Sequence, residues 1–184
     1  MRHSSRLSLS ALILTLAACG KGEPEARSSA DAPATESSGG GSAATTIHLV
    51  IGGGEHAGTY DAKSSDITCT YGFAGPGSWG NQYSVTGKKP TEFSSLQLIV
   101  PDTKDAADGT DQLLMTVGFG ELFKPGYSEH VIDSRKTASP KKGKGTITVD
   151  DRKTGGKVSF KGTAEDGATL EGTIDCHQMM RGDG

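Results

Sequence analysis

Short runs of apolar residues at every second position dominate the chain between residues 46 and 180. The runs fall at residues 47–51, 67–71, 79–85, 96–100, 113–119, 147–149, 158–160 and 170–174. Alternation with a period of two places the apolar side chains of a strand on one face, as in a strand with one buried side. The pattern therefore predicts an all-β fold, an antiparallel sandwich or barrel-like domain of about eight to ten short strands.

Glycine, aspartate and proline separate these runs, and few stretches are long enough for an uninterrupted helix of three turns. Only residues 128–136 are predicted to form a short helix. The region from 46 to 180 has the length of one domain. We expect residues 181–184 to be a flexible tail.

The last hairpin of the domain has a predictable register. A two-residue turn at Asp166-Gly167 would mix apolar and polar side chains on both faces of the hairpin. A three-residue loop, 165–167, instead sets Val158 against Ile174 and keeps one face apolar. We therefore predict the three-residue loop, with Gly167 in its left-handed position.

The first eighteen residues have the three parts of an export signal. Arg2, His3 and Arg6 give a positively charged start, and residues 7–18 form an apolar stretch. That stretch is too short to span a hydrocarbon core, which needs about 20 residues. It ends in Leu16-Ala17-Ala18-Cys19.

These last four residues resemble the lipobox of bacterial lipoproteins. The resemblance implies cleavage before Cys19, acylation of Cys19 with fatty acids such as palmitate, and a protein anchored to a membrane of the cell envelope. Because Gly20 follows the cysteine instead of aspartate, it implies the outer membrane if the organism is Gram-negative. The alternative is an ordinary secretory signal that leaves Cys19 as a free thiol.

A linker is predicted between the anchor and the domain. Residues 20–45 are rich in Gly, Ser, Ala, Thr, Glu and Pro and contain no aromatic residue and no Leu, Ile or Val. Such a segment buries too little apolar surface to fold. We expect residues 19–45 to comprise the lipidated cysteine and a disordered tether with a reach of about 25–30 Å.

Two cysteines remain once Cys19 is lipidated. Cys69 is in phase with the apolar residues of its strand, and Cys176 is in phase with Ile174. Both are thus predicted to face inward, in an exported protein in which disulfides persist. We predict a Cys69–Cys176 disulfide; two buried free thiols or metal ligands are the alternative.

The charge balance argues against a nucleic-acid partner. Cleavage before Cys19 removes Arg2 and Arg6, so Lys and Arg fall from 19 to 17 against 22 acidic residues, a net charge of −5. A mildly acidic protein is not drawn to nucleic acid or to an anionic membrane by its overall field. The membrane contact expected here is the lipid anchor.

Two glycine-containing segments match catalytic or cofactor motifs only in part. Residues 52–57 have the spacing of a dinucleotide fingerprint, but a strand follows where the fingerprint needs a helix. Residues 76–80 place proline where a nucleophile elbow needs glycine. We interpret both as turns, and we expect no cofactor.

Two segments contain ligands that a metal could use. Residues 102–111 hold four aspartates, but these lie three apart, unlike a calcium loop of the EF type. A solvated turn is the preferred interpretation, and calcium binding stays open. His177, Met179 and Met180 offer copper ligands, but a frayed segment is preferred. We predict no metal site.

The candidate ligand-binding residues are one aromatic pair and one basic group. They are Trp79 and Tyr83, and Lys141, Lys142 and Lys144. Trp79, flanked by glycine, is either a platform for a sugar ring or a core residue. The lysines are either a patch for an anionic polysaccharide or a solvated loop.

No paired carboxylates, Ser/His/Asp order or metal triad occurs at a useful spacing. The sequence therefore favours a non-enzymatic binding or structural module, anchored by lipid in the envelope. Its partners would be the membrane and either an envelope protein or an anionic polysaccharide. The alternative is an envelope hydrolase or carbohydrate-binding domain with a loop site near Trp79.

Overall fold

The computed structural model describes residues 44–182. In this part of the chain there are eleven strands and one short helix. The strands are β1 (Thr45–Gly52), β2 (Gly58–Ser64), β3 (Cys69–Tyr71), β4 (Trp79–Ser84), β5 (Phe93–Val100), β6 (Leu114–Phe119), β7 (Ser128–Asp133), β8 (Lys144–Asp151), β9 (Gly156–Thr163), β10 (Thr169–Cys176) and β11 (Met179–Arg181), and helix α1 (Thr103–Ala107) lies between β5 and β6.

These strands form two sheets that pack on each other. The first sheet has the order β2-β1-β10-β9-β8, and all of its neighbours are antiparallel. The second has the order β11-β3-β4-β5-β6-β7, in which only the β11–β3 pair is parallel among the described strands. The predicted all-β sandwich is confirmed.

The core comes from the alternation that the sequence shows. In β1, Ile47, Leu49 and Ile51 are buried, whereas His48 and Val50 on the opposite face are exposed. The second sheet faces them with its own apolar side chains, among them Leu96, Leu98, Val100, Met115, Val117 and Phe119. Period-two patterning thus gives each sheet one apolar face, and the two faces bury each other.

The predicted register of the β9–β10 hairpin is confirmed. Val158 pairs with Ile174, and Gly162 pairs with Leu170. Residues 165–167 form the loop, and Gly167 has a φ of 90°, in the region that favours glycine. One apolar face decides the register, because a shift by one residue would turn every buried side chain outward.

A disulfide connects the two sheets. Cys69, the first residue of β3, is bonded to Cys176, the last residue of β10, as predicted. The chain then passes from β10 in the first sheet to β11 in the second. β7 is an edge strand of the second sheet and β8 an edge strand of the first. Asp133 at the end of β7 pairs with Lys142, just before β8.

Two segments of the chain differ from their predicted structure. Residues 128–133, predicted to be helical, form β7, because alternate side chains such as His130 and Ile132 are buried against the core. Met179 and Met180, expected in a frayed segment, lie in β11, where backbone pairing with β3 orders them. The strand pairing also extends to Arg181, which was expected in the tail.

Candidate binding site on the outer face of the first sheet

A row of polar side chains crosses all five strands on the outer face of the first sheet. The pairing register aligns one residue from each strand. From one edge to the other these residues are Asp61, His48, Thr173, Ser159 and Thr148. Because side chains alternate across a strand, all five point away from the core.

The next row on the same face is built alike. It consists of Thr59, Val50, Glu171, Lys161 and Thr146. Residues of both rows, from β1, β8, β9 and β10, line an open groove with a volume of about 700 Å³. We call it the outer-face groove; its outward-facing residues are His48, Val50, Thr146, Thr148, Ser159, Lys161, Glu171 and Thr173.

In the outer-face groove, Lys161 forms an ion pair with Glu171, and His48 is hydrogen-bonded to Asp61. Lys161 Nζ lies 2.9 Å from Glu171 Oε2, and His48 Nδ1 lies 2.7 Å from Asp61 Oδ1. Exposed ion pairs of this kind contribute little to stability. Their effect on recognition is larger, because the Lys161–Glu171 pair leaves the groove without a dominant sign of charge.

The uncharged part of the lining is hydroxyl-rich. Thr146, Thr148, Ser159 and Thr173 each carry a hydroxyl that can donate and accept a hydrogen bond. These side chains do not pack in the core, since they belong to the solvent-facing rows. Val50 and the threonine methyl groups add apolar surface. The groove therefore suits a neutral ligand with many hydroxyl groups.

A second group, of four polar side chains and one phenylalanine, lies at one end of the sandwich. We call it the histidine cluster: His56, Phe119, Ser128, His130 and Asp166. His56 Nε2 lies 2.7 Å from Ser128 Oγ, and the His56 ring stacks on Phe119 at a centroid distance of 3.8 Å. His130 Nδ1 lies 2.6 Å from Asp166 Oδ2. Both histidines are buried.

Burial and hydrogen bonding set the charge states in the histidine cluster. Burial lowers the pKa of His56 below 6.5 and outweighs the attraction of Glu55. Burial acts to raise the pKa of Asp166, but hydrogen bonds from the Ala168 N–H and from His130 outweigh it and leave that pKa below 3.8. At neutral pH, His56 is thus neutral and Asp166 is ionised.

The histidine cluster was not predicted from the sequence. Its members come from the β1–β2 loop, the end of β6, the start of β7 and the β9–β10 loop. His56 lies in the glycine-rich segment that we interpreted as a turn, and His130 lies in the segment that we predicted to be helical. If residues 128–133 had been predicted as a strand, alternation would have placed His130 on the inward face. That orientation is the one sequence signal that could have pointed to the cluster.

The predicted aromatic platform is not available to a ligand. Trp79 is 0% exposed, and Tyr83 is buried with its ring stacked on Phe93 at 5.5 Å. Neither ring offers a face to a sugar. The core interpretation of Trp79 is therefore the one that this geometry supports.

The predicted basic residues Lys141, Lys142 and Lys144 have different surroundings, and the nearby Arg135 is paired with an aspartate. Lys142 Nζ lies 3.1 Å from Glu165, and Arg135 forms two hydrogen bonds, of 2.7 and 2.8 Å, with Asp133. Lys141 is exposed in the segment before β8. Lys144 lies on β8, where it borders a hollow that shares several residues with the outer-face groove. Only Lys144 thus lies next to the candidate site.

The candidate metal segments have structural roles. Asp102 accepts a hydrogen bond from the Lys104 N–H and caps α1, in a loop predicted to be a solvated turn. Asp111 accepts a hydrogen bond from its neighbour Gln112. Within residues 44–182 no three His, Cys, Asp or Glu side chains lie close enough together to hold a metal ion. Residues 52–54 lead into β2, so the helix that a dinucleotide site needs does not follow them.

Comparisons with protein-family models, with curated proteins and with solved structures find no match to this chain. In the part of the chain that the structure describes, no helix is long and apolar enough to cross a membrane. The candidate lipidation site, Cys19, lies outside the described residues.

Proposed function

We propose that the chain is a lipoprotein of the cell envelope whose β domain is a non-enzymatic binding module. Its ligand is a neutral, hydroxyl-rich polymer such as a glycan, held in the outer-face groove. The observation that carries this proposal is the alignment of Thr173, Ser159 and Thr148 along the groove beside the Lys161–Glu171 ion pair. Aligned hydroxyls and paired charges favour an uncharged ligand over an anionic one.

The lipid anchor is supported by the cysteines. The chain has three, and the disulfide between Cys69 and Cys176 uses two of them. Disulfides persist in oxidising compartments outside the cytoplasm. Cys19 remains, at the end of a segment that resembles a lipobox. Several acyl chains on one cysteine would hold the protein durably at a membrane.

The anchor is tested by metabolic labelling with an alkyne analogue of palmitate. We expect the parent chain to take up the label and to sediment with the envelope fraction. Cys19→Ser should abolish both, because the thiol that carries the acyl chains is lost. Ser29→Ala, in the same linker, is the matched control. Uptake of label by the Cys19→Ser chain would refute the anchor.

The groove is tested on an array of neutral and uronic-acid-containing envelope polysaccharides. We expect the parent protein to bind neutral members and Ser159→Arg to lose that binding, because the longer side chain fills the floor of the groove. Gln97→Arg is the control: Gln97 is exposed on β5 of the other sheet. Binding confined to acidic polysaccharides, or retained by Ser159→Arg, would contradict the proposal.

A hydrolase is the second candidate, and one contact in the histidine cluster favours it. The neutral imidazole of His56 lies 2.7 Å from the Ser128 hydroxyl. It can accept the hydroxyl proton as the oxygen attacks an ester carbonyl and return it to the alcohol that leaves when the ester C–O bond breaks, and water then hydrolyses the acyl-serine. A fluorophosphonate probe tests this: Ser128 should be labelled, and His56→Gln should prevent labelling while His48→Gln preserves it. Absence of label on Ser128 in the parent chain would exclude this candidate.

A further inference from the structure

The turn between β6 and β7 exposes two large apolar side chains. Phe123 is 93% exposed and Leu122 is 54% exposed. They occupy the middle of a four-residue turn, closed by a 3.0 Å hydrogen bond from the Lys124 N–H to the Glu121 carbonyl. We call Leu122 and Phe123 the apolar tip.

The backbone of the apolar tip is held in an unfavourable conformation. Phe123 has a φ of 65°, in the left-handed region where a side chain crowds the backbone. Glycine or asparagine is the usual residue at such a turn position. A phenylalanine at this position is unfavourable for two reasons, its backbone conformation and its exposure to water. Neither of them stabilises the folded domain.

The base of the turn is fixed, so the apolar tip is held away from the core. The Gly120 N–H donates to the Glu92 carbonyl at 3.0 Å, and the Tyr127 N–H donates to the Lys124 carbonyl at 3.2 Å. Gly126 packs so closely on Pro90 that a Cβ atom on it would lie 2.8 Å from the proline ring. The tip is thus presented on a close-packed support.

The size of the apolar tip fits a lipid surface better than a protein partner. A stable protein interface buries about 800 Å² on each side, whereas this tip is two residues flanked by Glu121 and Lys124. Insertion of a few apolar side chains at the headgroup level needs no complementary surface. The opposite charges of Glu121 and Lys124 leave the turn without net attraction to anionic lipid.

We propose that Leu122 and Phe123 insert into the interfacial region of the membrane that carries the lipid anchor. This inference rests on the anchor proposed above. The part of the predicted tether that precedes β1, residues 20–44, is long enough at about 3.3–3.6 Å per residue when extended for either end of the domain to reach the bilayer. Because the anchor keeps the tip near the lipid, weak insertion suffices.

The test uses the lipidated mature chain in phosphatidylethanolamine–phosphatidylglycerol vesicles that contain brominated lipids, which quench tryptophan on contact. Phe123→Trp reports on the tip, and Phe73→Trp, at an exposed residue of the β3–β4 loop, is the matched control. The signal of the single native tryptophan, Trp79, is subtracted. We expect quenching at position 123 to exceed that at position 73 by about twofold or more, with little dependence on salt.

A second arm separates the tip from the anchor. The Cys19→Ser chain with an N-terminal histidine tag is held on vesicles by nickel-chelating lipids. This arm therefore tests the tip without depending on the acylation of Cys19. Leu122→Trp repeats the measurement if Phe123→Trp does not fold. Equal quenching at the tip and at position 73 in both arms would overturn the inference. The same result is expected if the tip binds a protein instead of lipid.

Discussion

His56 shows how a single buried side chain makes the fold sensitive to protons. Its ring lies flat on Phe119, and its Nε2 is within hydrogen-bond distance of Ser128. The titratable groups that act on it are Glu55, His130 and Asp166, and desolvation exceeds them all. The folded protein therefore binds a proton at His56 less readily than the unfolded chain does.

The pH dependence of stability follows from the lowered pKa of His56. Well above pH 6.5 the side chain is neutral in both states, and its contribution to stability is complete. As the pH falls below 6.5 the unfolded chain takes up the proton first, so the free energy of unfolding decreases. Urea unfolding between pH 8 and pH 5 measures this decrease.

The control for this experiment is His48, which is exposed and hydrogen-bonded to Asp61. His56→Gln should reduce the slope of stability against pH in this range, whereas His48→Gln should leave most of it. An unchanged slope in His56→Gln would show that burial of His56 is not its source.

The orientation of some side chains could be predicted from the sequence, whereas the contacts within the histidine cluster could not. The inward orientation of Cys69 and Cys176 follows from alternation within their own strands. The contacts of His56 with Ser128 and of His130 with Asp166 join residues 72 and 36 positions apart. Loop packing decides such contacts, and no local pattern records it.

Among the elements, the β9–β10 hairpin and β7 show opposite outcomes. The hairpin was predictable because two adjacent strands and one turn fix its register locally. In β7 the apolar residues are few, and Glu129 and Asp133 are compatible with a helix. Pairing with β6 makes this segment a strand, because it directs His130 and Ile132 into the core. Strand preference depends on neighbours more than helix preference does.

The contact between β10 and β1 depends on Gly172. A Cβ atom there would lie 2.2 Å from the His48 carbonyl oxygen, a backbone atom. Gly172→Ala should therefore destabilise the domain by about 1–3 kcal/mol, the usual cost of overpacking. Thermal and urea unfolding measure the change. Thr173→Ala, the next residue on the solvent-facing side, should change stability much less; equal effects of the two would argue against close packing here.

For the whole molecule, the disulfide is the one covalent side-chain cross-link between the two sheets in the described part of the chain. It joins residues 107 positions apart and thus closes most of the domain into one loop. The sequence allowed the sandwich, its strand alternation and this bond to be predicted. It did not allow the strand order in the sheets to be predicted, because pairing between distant strands has no local signal.

Removal of the disulfide should lower the stability of the whole domain. We expect the Cys69→Ala/Cys176→Ala chain to lose about 2–4 kcal/mol of unfolding free energy, since the unfolded chain is no longer constrained. Urea unfolding measures this loss. A reductant should destabilise the parent chain but not the double variant. Equal stability of the parent chain with and without the reductant would contradict the expected constraint.

The position of β1 determines how the domain responds to a pulling force. The N-terminal segment enters the fold at Thr45, and β1 forms seven residue pairs with β2 on one side and seven with β10 on the other. Hydrogen bonds in antiparallel pairs are perpendicular to the strands. A pull along β1 therefore loads both ladders in shear, so that many bonds must break together. The Cys176–Cys69 bond ties β10 to the second sheet, so a force that reaches β10 also acts on that sheet.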